Sequence, residues 1–504
     1  MTMPTAAPVT PYDAIRYPGL PCSTAHPDHL AATATLRGMN PARPDRCRVL
    51  EVGCGDGGNL VPLAYALPGS TFVGIDLAGE AIEAARSFAR RVGIANVAFE
   101  TQDLAKFPED AGVFDYIVAH GVYSWIPPAA REALMALVGR HLAAQGVAFV
   151  SYNTYPGCHV RQMMWEMLRF HTAELDDPQA RLAEAGALIR LVAYGTVQPG
   201  AYTLPLVEEA RRMESRVPAL LFHDDLSPVN GPVYFHEFAE HAACHGLQFL
   251  AEAAFVSSSY AGIASEARAA LEALDPITRE QYLDFIRCRR FRETLLCRNE
   301  VALAPGDSAE RMQSISFTAA HRVRAVPQDK GAAPETTEPS AMAPGDDAGA
   351  RVMKALLDVL NVAAPRALPL EALVDAIQAL PERDRGSAPE QADPLAIVLA
   401  SLRAGVIEPH VIAARLAFPP GDLPTASAVV RAQLAEGELV ASLLHRAVKI
   451  DDEIAKRLLP LMDGSRNRLD LLAAMGGLAG PEESGAADLD RHLIRLARLG
   501  LLTA

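Results

Sequence analysis

The run VLEVGCGDGGNL, residues 49–60, places glycine at 53, 55, 57 and 58. Glycine lets a chain turn sharply at a strand end and lets its backbone approach a ligand closely. Gly53, Gly55 and Gly58 also satisfy GxGxxG, which alone is a weak dinucleotide signature. Two carboxylates follow. Asp76 closes FVGID, with Leu77 next to it, and an ionised carboxylate there can accept from both hydroxyls of a ribose. Asp103 follows in TQDLAKF with Leu104 beside it. Glu51 lies two positions before Gly53. Together these are parts of a cradle for a nucleoside-bearing cofactor. Plainer roles compete: Glu51 paired with a base such as Arg48, Asp76 capping a helix that starts near Ala78, Asp103 as a loop residue. Further along, HGVYSWIP (120–127) and SYNTYPG (151–157) concentrate aromatics in a chain that is only 6% aromatic. Tyr123, Trp125, Tyr152 and Tyr155 could line a channel that holds an amine by cation–π attraction and excludes water. Desolvation there would lower the amine's pKa. The tyrosine hydroxyls and Asn153 could orient its lone pair, while neither segment supplies a carboxylate as an obvious base. Core packing is the competing role of these rings.

Residues 45–155 must position these groups, and they alternate short apolar runs with helical periods. The pattern predicts strands at Arg48–Val52, Thr71–Ile75, Val97–Glu100, Tyr116–Ala119 and Gly146–Tyr152. Helices are expected at Leu60–Ala66, Glu80–Val92 and Ala130–Ala143. Five strands with helices between them imply an α/β fold with a doubly wound parallel sheet, whose ligands bind beyond the carboxyl ends of the strands. Residues 158–232 read as a helical insertion over that edge. The segment 233–302 reads as a helix stopped at Gly246, a strand, another helix and a final strand, closing the sheet with a hairpin-like edge. The stretch 325–349, rich in Pro, Ala, Gly and acidic residues, reads as a linker. Residues 350–504 read as mainly α and winged-helix-like. There DPLAIVLASLRAGVIEPH (393–410) and LDRHLIRLARLGLLTA (489–504) end alike, suggesting a loose duplication.

The glycine-rich turn, with Glu51 ahead of it and the additional Gly57, resembles motif I of class I S-adenosylmethionine (AdoMet) methyltransferases. Over a longer span, YDAIRYPGLPCSTAHPDHLAATATL, AHGVYSWIP, YNTYPG, YFHEFAEHAACHGLQFLAEA, EQYLDFIRCRRFRETLLC and LLPLMDGSRNRLDLL resemble one bacterial family. Its members join a Rossmann-like class I methyltransferase sheet to a methyltransferase regulatory domain and a winged-helix-like C-terminal region. They include protein-lysine methyltransferases that modify outer-membrane surface proteins. The resemblance implies AdoMet as cofactor, held by residues 1–157 as core and N-terminal cap. Glu51, Gly53, Gly55, Gly57, Asn59, Asp76, Leu77, Asp103, Leu104, His120 and Gly121 would surround it. The stretch Tyr17-Pro18 and Thr24-Ala25-His26-Pro27 would fold over it, with Tyr17 and His26 in contact. The family also implies a homodimer.

Methyl transfer is an in-line displacement that requires an aligned, unprotonated nucleophile. The segments beyond the fourth and fifth strands would face the methyl group, giving Tyr152, Asn153, Tyr123 and Trp125 the acceptor role. The expected reaction is N-methylation of lysine in a protein substrate. N- or O-methylation of a small molecule, and AdoMet sensing without catalysis, are the alternatives. A net charge of −15 argues against nucleic acid as partner. Seven dispersed cysteines without CxxC spacing argue against a disulfide framework and against a zinc site, so no metal is expected. No signal-like start and no long apolar run is present, so a cytoplasmic protein without membrane insertion is expected.

Overall fold

A computed structural model describes residues 15, 17, 19–304, 309–320, 348–381, 393–476 and 482–504. The principal sheet contains β1 Arg48–Val52, β2 Thr71–Asp76, β3 Val97–Thr101, β4 Phe114–Ala119, β5 Leu142–Asn153, β6 Leu247–Glu252 and β7 Phe291–Arg298. Its order is β3-β2-β1-β4-β5-β7-β6. The first five strands run parallel. β7 is antiparallel to both β5 and β6. The expected hairpin-like edge therefore forms, but β7 slots against β5 and leaves β6 outermost. Strand order reverses between β1 and β4, so the crevice for a ligand opens at their carboxyl ends.

The strands are apolar because both faces are covered. One face buries Val49, Phe72, Phe99 and Phe149 against the helices Leu60–Ala66 and Gly79–Val92. The other buries Leu50, Ile75, Ile117 and Val150 with Leu134 and Val138 of the helix Pro128–His141. That helix starts two residues earlier than the sequence suggests, because Pro128 occupies a first-turn position where its missing N–H costs nothing.

The insertion leaves the end of β5 as the helix Cys158–His171 and continues through Pro178–Tyr194 and Leu204–Glu214. It returns at Val233, which bridges Thr154, so both its ends lie at the carboxyl end of β5. Asp225 ties it together, accepting from Arg161 at 2.8 Å and from the indole of Trp165 at 2.7 Å. Arg216 pairs with the same carboxylate. These cations and the indole N–H hold its carboxyl below the usual range despite burial.

Of the expected linker, residues 325–347 lie outside the described residues, and a helix already runs through Ala348–Ala363. The C-terminal region contains two units. The first is built on a three-stranded sheet in which β8 (Ser316–Ala319) pairs with β9 (Leu368–Pro369) and β10 (Ile407–His410). β8 precedes the linker, a contribution the sequence did not disclose. The second holds β11 (Leu439–Ala441) and β12 (Ala447–Lys449) with the helix Glu482–Arg498. The resemblance of the two endings is structural. Gly405 and Gly500 both take positive φ, and Val406 and Leu501 donate back to Ser401 and Leu496 respectively.

Candidate functional site

At the end of β1 the chain turns through Gly53 (φ 73°), Gly55 (φ 53°) and Gly57 (φ 77°), a conformation that favours glycine. The amides of Gly53 and Cys54 both donate to the Ile75 carbonyl, fixing the turn beside the end of β2. Asp76 then accepts from the Gly55 amide at 2.9 Å and from the Ala78 amide at 2.9 Å. It spans the crevice mouth rather than capping the next helix, whose N-cap is Ala78. A carboxylate at this position is an acceptor suited to ribose hydroxyls.

Glu51 is buried, and burial pushes its carboxyl up to about 8, helped by Asp76 and Asp56 and opposed by a hydrogen bond from Asn59. That bond is 2.9 Å to Oε1, whereas Oε2 is buried with no hydrogen-bond partner. Arg48 instead donates to the Val113 and Ala111 carbonyls, so it is not the partner of Glu51. An orphaned carboxylate oxygen beside a glycine-lined turn fits an ammonium-bearing cofactor. Asn59 is a hub. Its Oδ1 accepts from the Cys22 amide at 2.9 Å and from Nε2 of His445 at 2.7 Å. His445 belongs to the second C-terminal unit, on the turn between β11 and β12, so that unit reaches the back of the glycine-rich turn.

Residues 19–26 cross the same turn. A Cβ on Gly58 would lie 2.3 Å from the Gly19 carbonyl oxygen. His26 is spent otherwise than expected: its Nδ1 accepts from the Asp28 amide at 3.0 Å and its ring packs on His445, with centroids 5.3 Å apart. Tyr17 sits edge-on to His223 of the insertion at 5.6 Å. Leu77 is exposed. Asp103 accepts from the Ala105 amide at 3.0 Å and caps the short turn Leu104–Lys106.

Beyond β4 and β5 the arrangement departs most from expectation. Tyr123 and Tyr152 are buried in the core beneath the crevice, not ranged along a channel. Tyr152 stacks on Phe238 at 4.1 Å and its hydroxyl meets Thr294 at 3.0 Å. The Tyr123 hydroxyl meets His241 at 2.8 Å. Strand alternation is the reason: Tyr152 points to the same face as Val150, while Ser151 points to the other. Asn153 is also buried, donating to Asn230 at 3.0 Å. Tyr155 stacks on His159 at 4.1 Å. Trp125 keeps a buried indole N–H without a hydrogen-bond partner.

The groups that do converge at the ends of β4, β5 and β7 are His120, Ser151, Glu293, Cys22 and Thr24. Ser151 accepts from the Gly121 amide at 2.8 Å and meets His120 Nδ1 at 3.0 Å. Ligand atoms of Cys22, His120 and Glu293 all lie within 4.8 Å of one another. Burial lowers His120 to about 4 and raises the Cys22 thiol to about 12, so near neutral pH the ring is uncharged and the thiol protonated. Burial raises Glu293 to about 7, against a hydrogen bond from Thr24. Sequence reasoning missed Glu293 because it sits on β7, opposite Ser151, more than 130 residues from the aromatic segments. The one available signal was a glutamate just ahead of the apolar run LLC in the strand RETLLCR.

Three family models match the chain: "Methyltransferase domain" over residues 49–146, "Predicted methyltransferase regulatory domain" over 218–298, and "PKMT, C-terminal winged helix domain" over 422–491. The uncharacterized protein RP789 of Rickettsia prowazekii is 35% identical over 302 residues, 59% of this chain. The matched part spans 54% of RP789, about half its length. The uncharacterized protein RP028 of the same organism is 31% identical over 234 residues, covering 46% of this chain and 93% of RP028. Among solved structures, PKMT2 from Rickettsia typhi matches with a TM-score of 0.80 at 23% identity, over 97% of this chain and 100% of that one. The same protein in complex with AdoHcy gives 0.79.

Proposed function

The chain belongs to the AdoMet-dependent methyltransferases that carry a regulatory domain and a PKMT-type winged-helix domain, and from that premise we propose that it methylates the Nε of lysine side chains in a protein substrate. The observation that carries this reading is Glu293, a carboxyl raised to about 7 beside the neutral His120 at the ends of β4, β5 and β7. An amine acceptor enters as an ammonium and must lose a proton before it can attack. Glu293 is the group to take it, since a base works best with its pKa near the working pH. Bound at the crevice, AdoMet supplies a methyl group on a sulfonium. Oε2 of Glu51 accepts from the cofactor's α-ammonium, Asp76 accepts from the ribose hydroxyls, and Gly53, Gly55 and Gly57 let the backbone close on it. Asp103, Leu104 and His120 flank it, and residues 19–26 exclude water. Trp125 lines the acceptor side, while Tyr123 and Tyr152 support the acceptor strands from beneath. Phe170, Leu191, Tyr194, Val197 and Tyr202 are exposed apolar residues on the insertion and support a protein-sized partner. The acidic surface favours a lysine-rich one.

The test is transfer from methyl-labelled AdoMet to a lysine-containing peptide library and to a metabolite mixture, read by mass spectrometry. Nε-methyllysine is the expected product. Label confined to small molecules would refute the protein reading. Activity should rise with pH through about 7 and then level, because the ionised form of Glu293 is the base. In Glu293→Gln the rate should fall by about 10²–10⁴ and lose that rise, while AdoHcy binding persists.

A further inference from the structure

Outside the groups assigned to the crevice, two histidines four residues apart face one carboxylate. His241 lies in the last turn of the helix Phe235–Cys244, and His245 is its C-cap residue. Spacing of four puts both rings on one side of the helix. Glu132, in the helix Pro128–His141, reaches across with Oε2 3.1 Å from His241 Nε2 and Oε1 2.9 Å from His245 Nε2. Ligand atoms of all three lie within 4.8 Å of one another. Metal–ligand bonds of about 2.0 Å at tetrahedral angles would put neighbouring ligand atoms about 3.3 Å apart, and both contacts to Glu132 are already that short.

Two further observations separate this cluster from a carboxylate merely clamping two imidazoles. Although His245 Nε2 lies close to Glu132, it is buried and makes no hydrogen bond, so the contact leaves its lone pair or proton unsatisfied. In addition, His241 is oriented through its other nitrogen, whose Nδ1 meets the buried Tyr123 hydroxyl at 2.8 Å. A metal-ligating histidine is typically held by such an outer partner.

We propose that Glu132, His241 and His245 bind a divalent transition metal, with zinc the best chemical fit, clamping the helix Pro128–His141 to the helix Phe235–Cys244. The donor set is two imidazoles and a carboxylate, which suits zinc, and the exposed side of Glu132 leaves a fourth position for water. The second helix falls within the matched regulatory domain, and the first lies in the methyltransferase domain. The ion therefore ties one to the other. Coordination at Nε2 also places the His241 proton on Nδ1, which then donates to Tyr123 Oη. The Tyr123 hydroxyl keeps its hydrogen, now turned away from His241, and Tyr123 packs against Tyr152 with centroids 5.7 Å apart, under the acceptor strands.

The test is titration of the chelator-treated full chain with cobalt(II) alone, followed by competition with zinc. Wild type should take one cobalt with visible d–d bands and no thiolate charge-transfer band, and zinc should displace it. Glu132→Ala and His245→Ala alter exposed or flanking side chains, and each should weaken zinc at least tenfold. Tyr123→Phe should weaken it about tenfold by removing the outer partner. Cys22→Ser should leave the spectrum unchanged. Absence of d–d bands in wild type would overturn the proposal. So would bands that persist in both ligand variants, or a thiolate band lost in Cys22→Ser, which would locate the ion in the crevice.

Discussion

Glu51 shows how a single side chain can prepare a site for charge. Its carboxyl is raised to about 8 by burial, so near pH 7 it is mostly protonated before cofactor binds. An ammonium at Oε2 favours the carboxylate, so cofactor binding should release a proton. Calorimetry of AdoHcy binding at pH 7 in two buffers of different ionisation enthalpy should give different apparent heats. In Glu51→Gln the difference should vanish, and affinity should fall about 10–100-fold, the scale of a lost charged hydrogen bond. Equal heats in wild type would mean that Glu51 is already ionised or does not meet the ammonium.

Between elements, Asp28 is the tie that matters most for the C-terminal region. Its carboxylate accepts from His410 Nδ1 at 2.8 Å and from the amides of Val411 and Ile412 at 2.7 and 3.0 Å. These bonds, with His410, hold its carboxyl below the usual value despite burial. They join the helix Pro27–Leu36 to the strand that ends the first C-terminal unit. Asp28→Ala leaves these donors unmatched and should cost about 1–3 kcal/mol, read as a lower midpoint in chemical denaturation. A midpoint within error of wild type would show that the apolar contacts alone hold the two elements together.

The whole molecule couples its ends through the crevice. His445, nearly 400 residues from Asn59, donates to it, and Asn59 in turn holds Glu51. Removing the ring in His445→Ala should raise the Kd for AdoHcy severalfold without unfolding the chain. His445→Gln, which keeps a donor, should recover part of the loss. Unchanged affinity in the alanine variant would show that Asn59 positions Glu51 unaided. The same packing predicts acid sensitivity at two histidines. Burial lowers His26 and His120 to about 4, so the unfolded chain takes up protons near 6.5 that the folded chain refuses. Each ring's contribution is full above about 6.5 and falls as pH drops towards 4, at up to about 1.36 kcal/mol per pH unit, while Glu51 and Glu293, raised by burial, contribute in the opposite sense over the same range. The denaturation midpoint of wild type should therefore fall relative to that of His120→Gln from pH 7 through 6 to 5.

Local chemistry was enough to determine the elements around the glycine-rich turn. The strand and turn around Gly53–Gly58, the acid at 51 and the acid ending β2 follow from φ preferences and side-chain period, which depend on near neighbours alone. The helix stopped at Gly246 and the paired glycine endings of the C-terminal units were legible for the same reason. Tertiary structure decided what depends on which face a residue meets. Alternation along β5 sent Tyr152 into the core and Ser151 towards the crevice, and segment composition carries no sign of that choice. The antiparallel entry of β7 brought Glu293 to His120, and docking of the second C-terminal unit brought His445 to Asn59. Such contacts join residues far apart in the chain, and their partners are selected by packing of whole elements, so no local pattern announces them.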